Sequence, residues 1–338
     1  MSHHTLSSTA KRIYWLGRYL ERTENTARLV SVHANLLMDL PKRMPLGWRP
    51  MVDITGSRTL FDSLYDDTNE NNVARFLIND IRHPGSLLNS LKWARENART
   101  LRGIIPNQAF EYINELHLFG REHLGEPLSR TRRVAGLSDV TEFVQRIEGF
   151  MSANLLHDAH WNFLRMGNFI ERADMTSRII DVGTDNLLES AVELAPFADI
   201  QWRSVLLSLN AVQSYNISVQ EPIQQGAVLE FLFRDPRLPR SLLYSLNSLR
   251  NSLRALPRHE KALRSVNRMR RHLQHAELHL LGGETLHTFT DTCQKELAEV
   301  HDVINRSYFE FTPRRRPQRK SARGGIKNRS ERLNAKER

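Results

Sequence analysis

Four landmarks occur twice, in the same order, along this 338-residue chain, and that repetition limits the folds open to it more than any other feature. Gly17-Arg18-Tyr19-Leu20-Glu21-Arg22 returns as Gly167-Asn168-Phe169-Ile170-Glu171-Arg172, an offset of 150 residues. Trp48-Arg49 returns as Trp202-Arg203 at 154, and Phe76–Leu101 matches Phe231–Leu256 at 155, with 13 identities in 26 positions. Glu115-Leu116-His117-Leu118 returns as Glu277-Leu278-His279-Leu280 at 162. The offsets only grow, as short loop insertions would make them. So long a unit is unlike the ~20–50-residue periods of solenoids. It points to two units, residues 1–157 and 158–312, packed face to face as a pseudo-symmetric pair within one body.

Each unit reads as helices. Ile13, Leu16, Leu20, Ala27, Val30, Ala34 and Leu37 follow 3-4 spacing, which gives one apolar stripe over Lys11–Met38. Pro41 and Pro45 end that helix. A second helix is expected over Glu70–Asp80, with Thr68 or Asn69 as its N-cap, and further ones after Ser86 and Ser241, opened by Pro84 and Pro239. Other helical stretches cover Phe110–Leu124, Asp139–Met151, Gln201–Tyr215 and Leu286–Tyr308. Long β-branched alternation is absent. The expected fold is an all-α, multi-helix bundle of two duplicated units.

Charge separates the body from the tail. Residues 313–338 carry 11 Lys or Arg against 2 acids, whereas the remaining residues hold 37 basic and 36 acidic side chains. This tail has no apolar period and no aromatic residue, so it is expected to be disordered. Its Arg314-Arg315-Arg316 run would give weak, salt-sensitive polyanion binding without a stacking platform. No apolar run approaches the ~20 residues of a membrane span, and Met1–Ala10 lacks the apolar stretch of a secretory leader. A cytoplasmic protein with no membrane partner is therefore expected. Cys293 is the sole cysteine, which excludes an internal disulfide and a cysteine-based zinc site.

The candidate site lies beside the apolar stripe. At ~100° per residue, Gly17, Glu21, Glu24 and Arg28 fall on one line of the first helix, about 90° from the stripe's centre. Gly167, Glu171, Asp174 and Arg178 repeat that line at the same 4-3-4 spacing. Arg22 and Arg172 point elsewhere, because neighbours at i and i+1 do not share a helix face. Each Glu-Arg dipeptide must therefore find separate partners. Two arrangements follow. In the first, glycine lets the helices approach, the i,i+4 pairs Glu24–Arg28 and Asp174–Arg178 form, and one unit's acids meet the other unit's arginine. In the second, Glu21, Glu24, Glu171 and Asp174 converge on a divalent cation, where oxygen-only ligands suit magnesium or manganese. The histidine three residues after a glutamate that di-iron bundles use is missing, and the arginines would neutralise the charge a metal needs. His157-Asp158-x-His160 is a weaker candidate, with no counterpart in the first unit. His117 and His279 are expected to be structural, and Cys293 a core residue. There is no Gly-rich phosphate loop and no nucleophile elbow, so no catalytic residue and no cofactor are assigned.

These residues resemble a known family. Leu6–Ala10, Tyr14–Arg22 and Glu24–Arg28 are similar to the opening of the bacterial alpha-E domain family, and Phe163–Leu164 with Met166–Arg178 to its second Glu-Arg motif. The similarity covers about residues 5 to 312. Asn168 stands where members often carry arginine. The resemblance implies an all-helical fold of unassigned activity, encoded beside or fused to circularly permuted ATP-grasp proteins and near transglutaminase-like proteases. It implies no catalytic residue. The first expectation is a non-catalytic helical partner that docks an ATP-grasp-type peptide or amide ligase or presents its peptide substrate. The alternatives are an enzyme of peptide modification using the acid-arginine lines, with or without a divalent cation, and polyanion binding by the tail.

Overall fold

The computed structural model describes residues 7–39, 47–188 and 198–310. Among them there are fourteen α-helices and no strand, so the chain is all-helical. The first series runs α1 (Ser7–Asp39), α2 (Arg49–Ile54), α3 (Arg58–Asp62), α4 (Glu70–Ile78), α5 (Leu87–Thr100), α6 (Asn107–Leu124) and α7 (Arg130–Asn154). The second runs α8 (Ala159–Leu188), α9 (Ala198–Ser208), α10 (Val212–Ser218), α11 (Gln225–Arg234), α12 (Leu242–Arg254), α13 (Glu260–His275) and α14 (Gly283–Ile304). Helices α11 and α12 begin 155 residues after α4 and α5, and α13 and α14 begin 153 residues after α6 and α7.

The two long helices α1 and α8 pack along each other at the centre. Helices α5 and α7 flank α1, and α12 and α14 flank α8. The short helices cross over, because α2 leans mainly on α8 and α9 reaches α1. The buried apolar residues of both series form one continuous core. From Leu20 to Val30 every residue of α1 except Arg22 is buried. The expected single apolar stripe therefore becomes a helix enclosed on all sides. Hydropathy periodicity could not show this, because six of those ten buried residues are polar, Glu21, Thr23, Glu24, Asn25, Thr26 and Arg28. Burying such groups is tolerable only when each finds a partner.

Several boundaries differ from the sequence expectation. The stretch Gln201–Tyr215 is two helices, α9 and α10, interrupted where Asn210 adopts a left-handed φ of 51°; asparagine tolerates that region better than most residues. Helix α7 starts at Arg130, nine residues before the expected Asp139. Pro84 and Pro239 lie in the preceding turns and not in the first turns of α5 and α12, which open at Leu87 and Leu242. The fourth repeated landmark does not superpose: Glu115–Leu118 is inside α6, whereas Glu277–Leu280 falls at a 3-10 turn after α13. Its offset of 162 is out of step with the 153 between the starts of α6 and α13, so the two tetrapeptides do not occupy equivalent places. Pro41, Pro45 and the basic tail from 313 onward lie outside the described residues.

The matching helices α5 and α12 are capped differently. Ser241 accepts a hydrogen bond from the Tyr244 amide at 3.0 Å, but the buried Ser86 hydroxyl has no partner among the described residues. Ser241→Ala is therefore expected to lower stability by ~1 kcal/mol, the usual worth of an N-cap, and Ser86→Ala by clearly less. Urea denaturation of the two variants measures the difference.

Candidate functional site

The site grows from the close approach of α1 and α8. A Cβ on Gly17 would overlap the Leu164 carbonyl oxygen, and one on Gly167 would overlap the Tyr14 carbonyl oxygen. Only glycine admits backbones this close, and the approach brings the next turns of each helix within side-chain reach of the other.

The two Glu-Arg dipeptides exchange partners across that contact. Arg22 donates from Nε to Glu171 Oε1 at 2.6 Å and from Nη2 to Oε2 at 3.1 Å. Arg172 donates from Nε to Glu21 Oε1 at 3.0 Å and from Nη2 to Oε2 at 2.6 Å. Both are two-point contacts between a guanidinium and a carboxylate, the strongest geometry such pairs adopt. Each glutamate also takes a second arginine. For Glu171 it is Arg18, through Nε at 2.6 Å; for Glu21 it is Arg240, through Nη1 at 2.7 Å. Arg240 continues to Asn25 at 2.9 Å and to Glu24 at 2.8 Å. The i,i+4 pairs are both present, Arg28 with Glu24 and Arg178 with Asp174 at 3.0 Å. Glu21 and Glu171 are 0% and 3% exposed, so these contacts are desolvated.

Electrostatics follow the geometry. Burial drives the Glu171 carboxyl upward, but Arg18 and then Arg22 pull harder and leave it at about 2. Burial likewise opposes Arg240 and Arg28 at Glu24, and the result is again about 2. Arg172 is held above its ordinary range, because Glu21 overcomes the cost of burial. Glu148, on α7, receives Asn168 Nδ2 at 3.1 Å; burial and then the neighbouring Glu21 push its carboxyl up to about 7.

The cation arrangement is not the one found. Glu21 and Glu24 lie on one side of the helix pair and gather Glu148, the three offering oxygens within 4.8 Å of one another. Glu171 and Asp174 form the other side, along a separate cleft. A cation among Glu21, Glu24 and Glu148 would have to displace Arg172, Arg240 and Arg28 from the same oxygens. The residues present do not suit a metal.

The weaker candidates resolve locally. Asp158 Oδ1 accepts from the His160 amide at 2.7 Å at the start of α8, its Oδ2 meets His160 Nδ1 at 2.9 Å, and His157 lies at 3.0 Å from the Ser152 carbonyl while stacking on Trp161. The two histidines thus face different partners. His117 is in α6 and His279 in the 3-10 turn, so they are not equivalent. Cys293 is buried, which pushes its thiol up to about 12.

Three members of the lattice were absent from the sequence assignment. Arg18 lies inside the first motif. Arg240 occupies the single position of Pro-x-Ser where the copies differ, opposite Gly85, and that contrast was the available signal. Glu148 had none, because nothing in a lone acid on a solvent-patterned helix shows which neighbour it will face.

The lattice sets a pH dependence. Burial holds His33 at about 4, and burial with Arg22 does the same for His83 and with Arg18 for His301. Their folded pKa values lie below the unfolded ~6.5. As pH falls through ~6.5 to ~4 the unfolded chain takes protons first, so stability drops across that window. Glu24 and Glu171, depressed to about 2, contribute stability that is complete above ~4.5 and lost below it. Glu148, raised to about 7, acts oppositely between ~4.5 and 7, but it is one group against three. Thermal melts should give a Tm at pH 5 clearly below that at pH 7, with a steeper fall under pH 4; a flat profile would contradict the buried neutral histidines.

A family model described as "A predicted alpha-helical domain with a conserved ER motif" matches residues 5–309. An uncharacterized protein of Mycobacterium bovis and one of Mycobacterium tuberculosis are each 25% identical to the chain over 319 residues, covering 87% of it and 35% of their own length. The chain thus spans about a third of these curated relatives. No solved structure matches.

Proposed function

Because the chain belongs to the Alpha-E family, whose ER motif here locks two central helices together, we propose that it is a helical partner protein and not the catalyst of its system. The observation that carries this is the engagement of Glu21, Arg22, Glu171 and Arg172 with one another in the interior. Glu21 accepts four hydrogen bonds and Glu171 three, all but one of them from guanidiniums, so both carboxylates are engaged in holding the helices and the motif is best understood as architecture that sets a surface. We take that architecture to be a duplication, units 1–157 and 158–312, on the support of the helix spacings. The described residues include no helix long and apolar enough to cross a membrane, and we place the protein in the cytoplasm. The relatives' greater length supports a domain that works joined to, or beside, other chains. The partner proposed is a circularly permuted ATP-grasp protein that forms peptide or amide bonds, with this chain docking it or presenting its peptide. The basic tail from 313 to 338 would serve as an electrostatic tether.

Affinity capture from the native host at low salt, followed by mass spectrometry, should recover an ATP-grasp protein in near-stoichiometric amount. Its absence from captures that retain folded bait would contradict the proposal. A second reading, an enzyme acting through Glu171 and Asp174, draws on the cleft beside them. Asp174→Asn would then abolish the pathway's product with stability unchanged, an outcome a pure partner would not give.

A further inference from the structure

The two sides of the lattice are not alike. On one side Arg240 fills the space between Glu21, Asn25 and Glu24. The corresponding positions on the other side are Glu171, Met175 and Asp174, and the residue that matches Arg240 is Gly85. With no side chain to fill it, that space is open: a cleft of about 570 Å³ whose lining includes Gly85, Glu171, Met175, Asp174 and three arginines, Arg18, Arg22 and Arg178.

Charge decides what the cleft would take. On the filled side three arginines face Glu21, Glu24 and Glu148, the last of them only partly ionised near pH 7. The place of Glu148 on α7 is held on α14 by His301, 153 residues on, as are the helix starts. His301 is neutral near pH 7 and lies 3.4 Å from Arg18. In the cleft, three guanidiniums therefore meet only Glu171 and Asp174. One positive charge is left without an opposite. The donors are also available: Arg178 uses Nε on Asp174, and Arg22 uses Nε and Nη2 on Glu171. That leaves Arg22 Nη1 and both Arg178 Nη groups without a hydrogen-bond partner among the described residues.

We infer that this cleft binds a single carboxylate, borne by the end of a peptide, between Arg22 and Arg178. A monoanion restores neutrality, whereas a phosphate at about −1.5 to −2 overshoots it. Planar carboxylates suit guanidinium forks. Met175, Leu60 and Pro84 in the same wall give a terminal side chain an apolar surface. Taking the bearer to be a peptide rests on the partner reading, but binding of the carboxylate does not. Gly85→Arg would place in this cleft the plug that Arg240 provides opposite; its Cβ would come 3.0 Å from Cε1 and 3.2 Å from Nε2 of His83, so that ring, stacked on Phe76, must give by a few tenths of an ångström.

Isothermal titration of the full chain with acetyl-Ala-Ala-Leu as free acid, with its C-terminal amide and with inorganic phosphate tests this without any partner protein, so its outcome is separate from that of the capture experiment. The free acid should bind saturably, with the amide at least ~10-fold weaker, the loss expected for a charge-assisted pair. Gly85→Arg and Arg178→Ala should each reduce binding by a similar factor while retaining the helical circular dichroism signal. Arg178 is a partly exposed side chain, so its removal keeps the test open should the plug variant fail to fold. Equal affinity for acid and amide, tighter binding of phosphate, no saturable binding, or a folded Arg178→Ala that binds like the wild type would each overturn the inference.

Discussion

Gly167→Val is expected to leave no stably folded protein at 25 °C. The Gly167 hydrogen points at the Tyr14 carbonyl, and a Cβ there meets backbone that cannot swing aside as a side chain would. To admit valine, α8 must move away from α1, and every contact built on that approach stretches together. These include two exchanged Glu-Arg pairs and the apolar packing of Ile13, Leu16, Phe163 and Ile170. Overpacking alone costs ~1–3 kcal/mol; opening desolvated ion pairs adds several more, against a total stability of ~5–15 kcal/mol. Circular dichroism and size exclusion of the purified variant measure the outcome. Gly149→Val is the control, since nothing lies within 4 Å of a Cβ there. A Gly167→Val protein that melts within a few degrees of the wild type would show that the helices do not approach this closely.

Glu21→Gln should cost ~3–5 kcal/mol, because it removes the two-point partner of buried Arg172, leaving it only Glu148 at 3.8 Å, and one of the two carboxylates that hold Arg240. The pair as a whole is not thereby worth that much, since removing one partner of a buried pair exposes the desolvation cost of the other. Glu171→Gln is expected to cost less. Its arginines, Arg18 and Arg22, border the open cleft, where water can solvate them. Chemical denaturation of both variants gives the comparison, and a Glu171→Gln protein less stable than Glu21→Gln would reverse this assignment of the closed and open sides.

How much of this could be read from residue order depends on which physical signal each element carries. Helix α1 was legible because Ile13, Leu16, Leu20 and Ala27 recur at helical spacing, and α4 because Asn69 caps it, accepting from the Asn72 amide at 3.0 Å. The break between α9 and α10 was not, because Val205, Leu206 and Leu209 continue the helical pattern up to the Asn210 turn. In the site, the 4-3-4 line placed Glu21, Glu24 and Arg28 together, and the i,i+1 argument required the Glu-Arg residues to find separate partners. The first arrangement expected one unit's acids to meet the other unit's arginine, but neither argument could say that this arginine is the one inside the other Glu-Arg dipeptide. That depends on how far α1 slides along α8, which the backbone contact at Gly17 and Gly167 sets. Arg240 lies 219 residues from Glu21, and such long-range pairing leaves no local trace beyond its contrast with Gly85.

Double-mutant cycles on the Glu-Arg residues report most directly on the exchange of partners. Glutamine replacements of Arg22 and Glu171, singly and together, should yield a coupling energy of ~1–3 kcal/mol by urea denaturation, as touching residues do. The neighbours in one dipeptide, Glu21 and Arg22, share no partner and should couple clearly less than that. Strong coupling inside the dipeptide with none between Arg22 and Glu171 would contradict the crossed pairing, and with it the open cleft that the pairing frames.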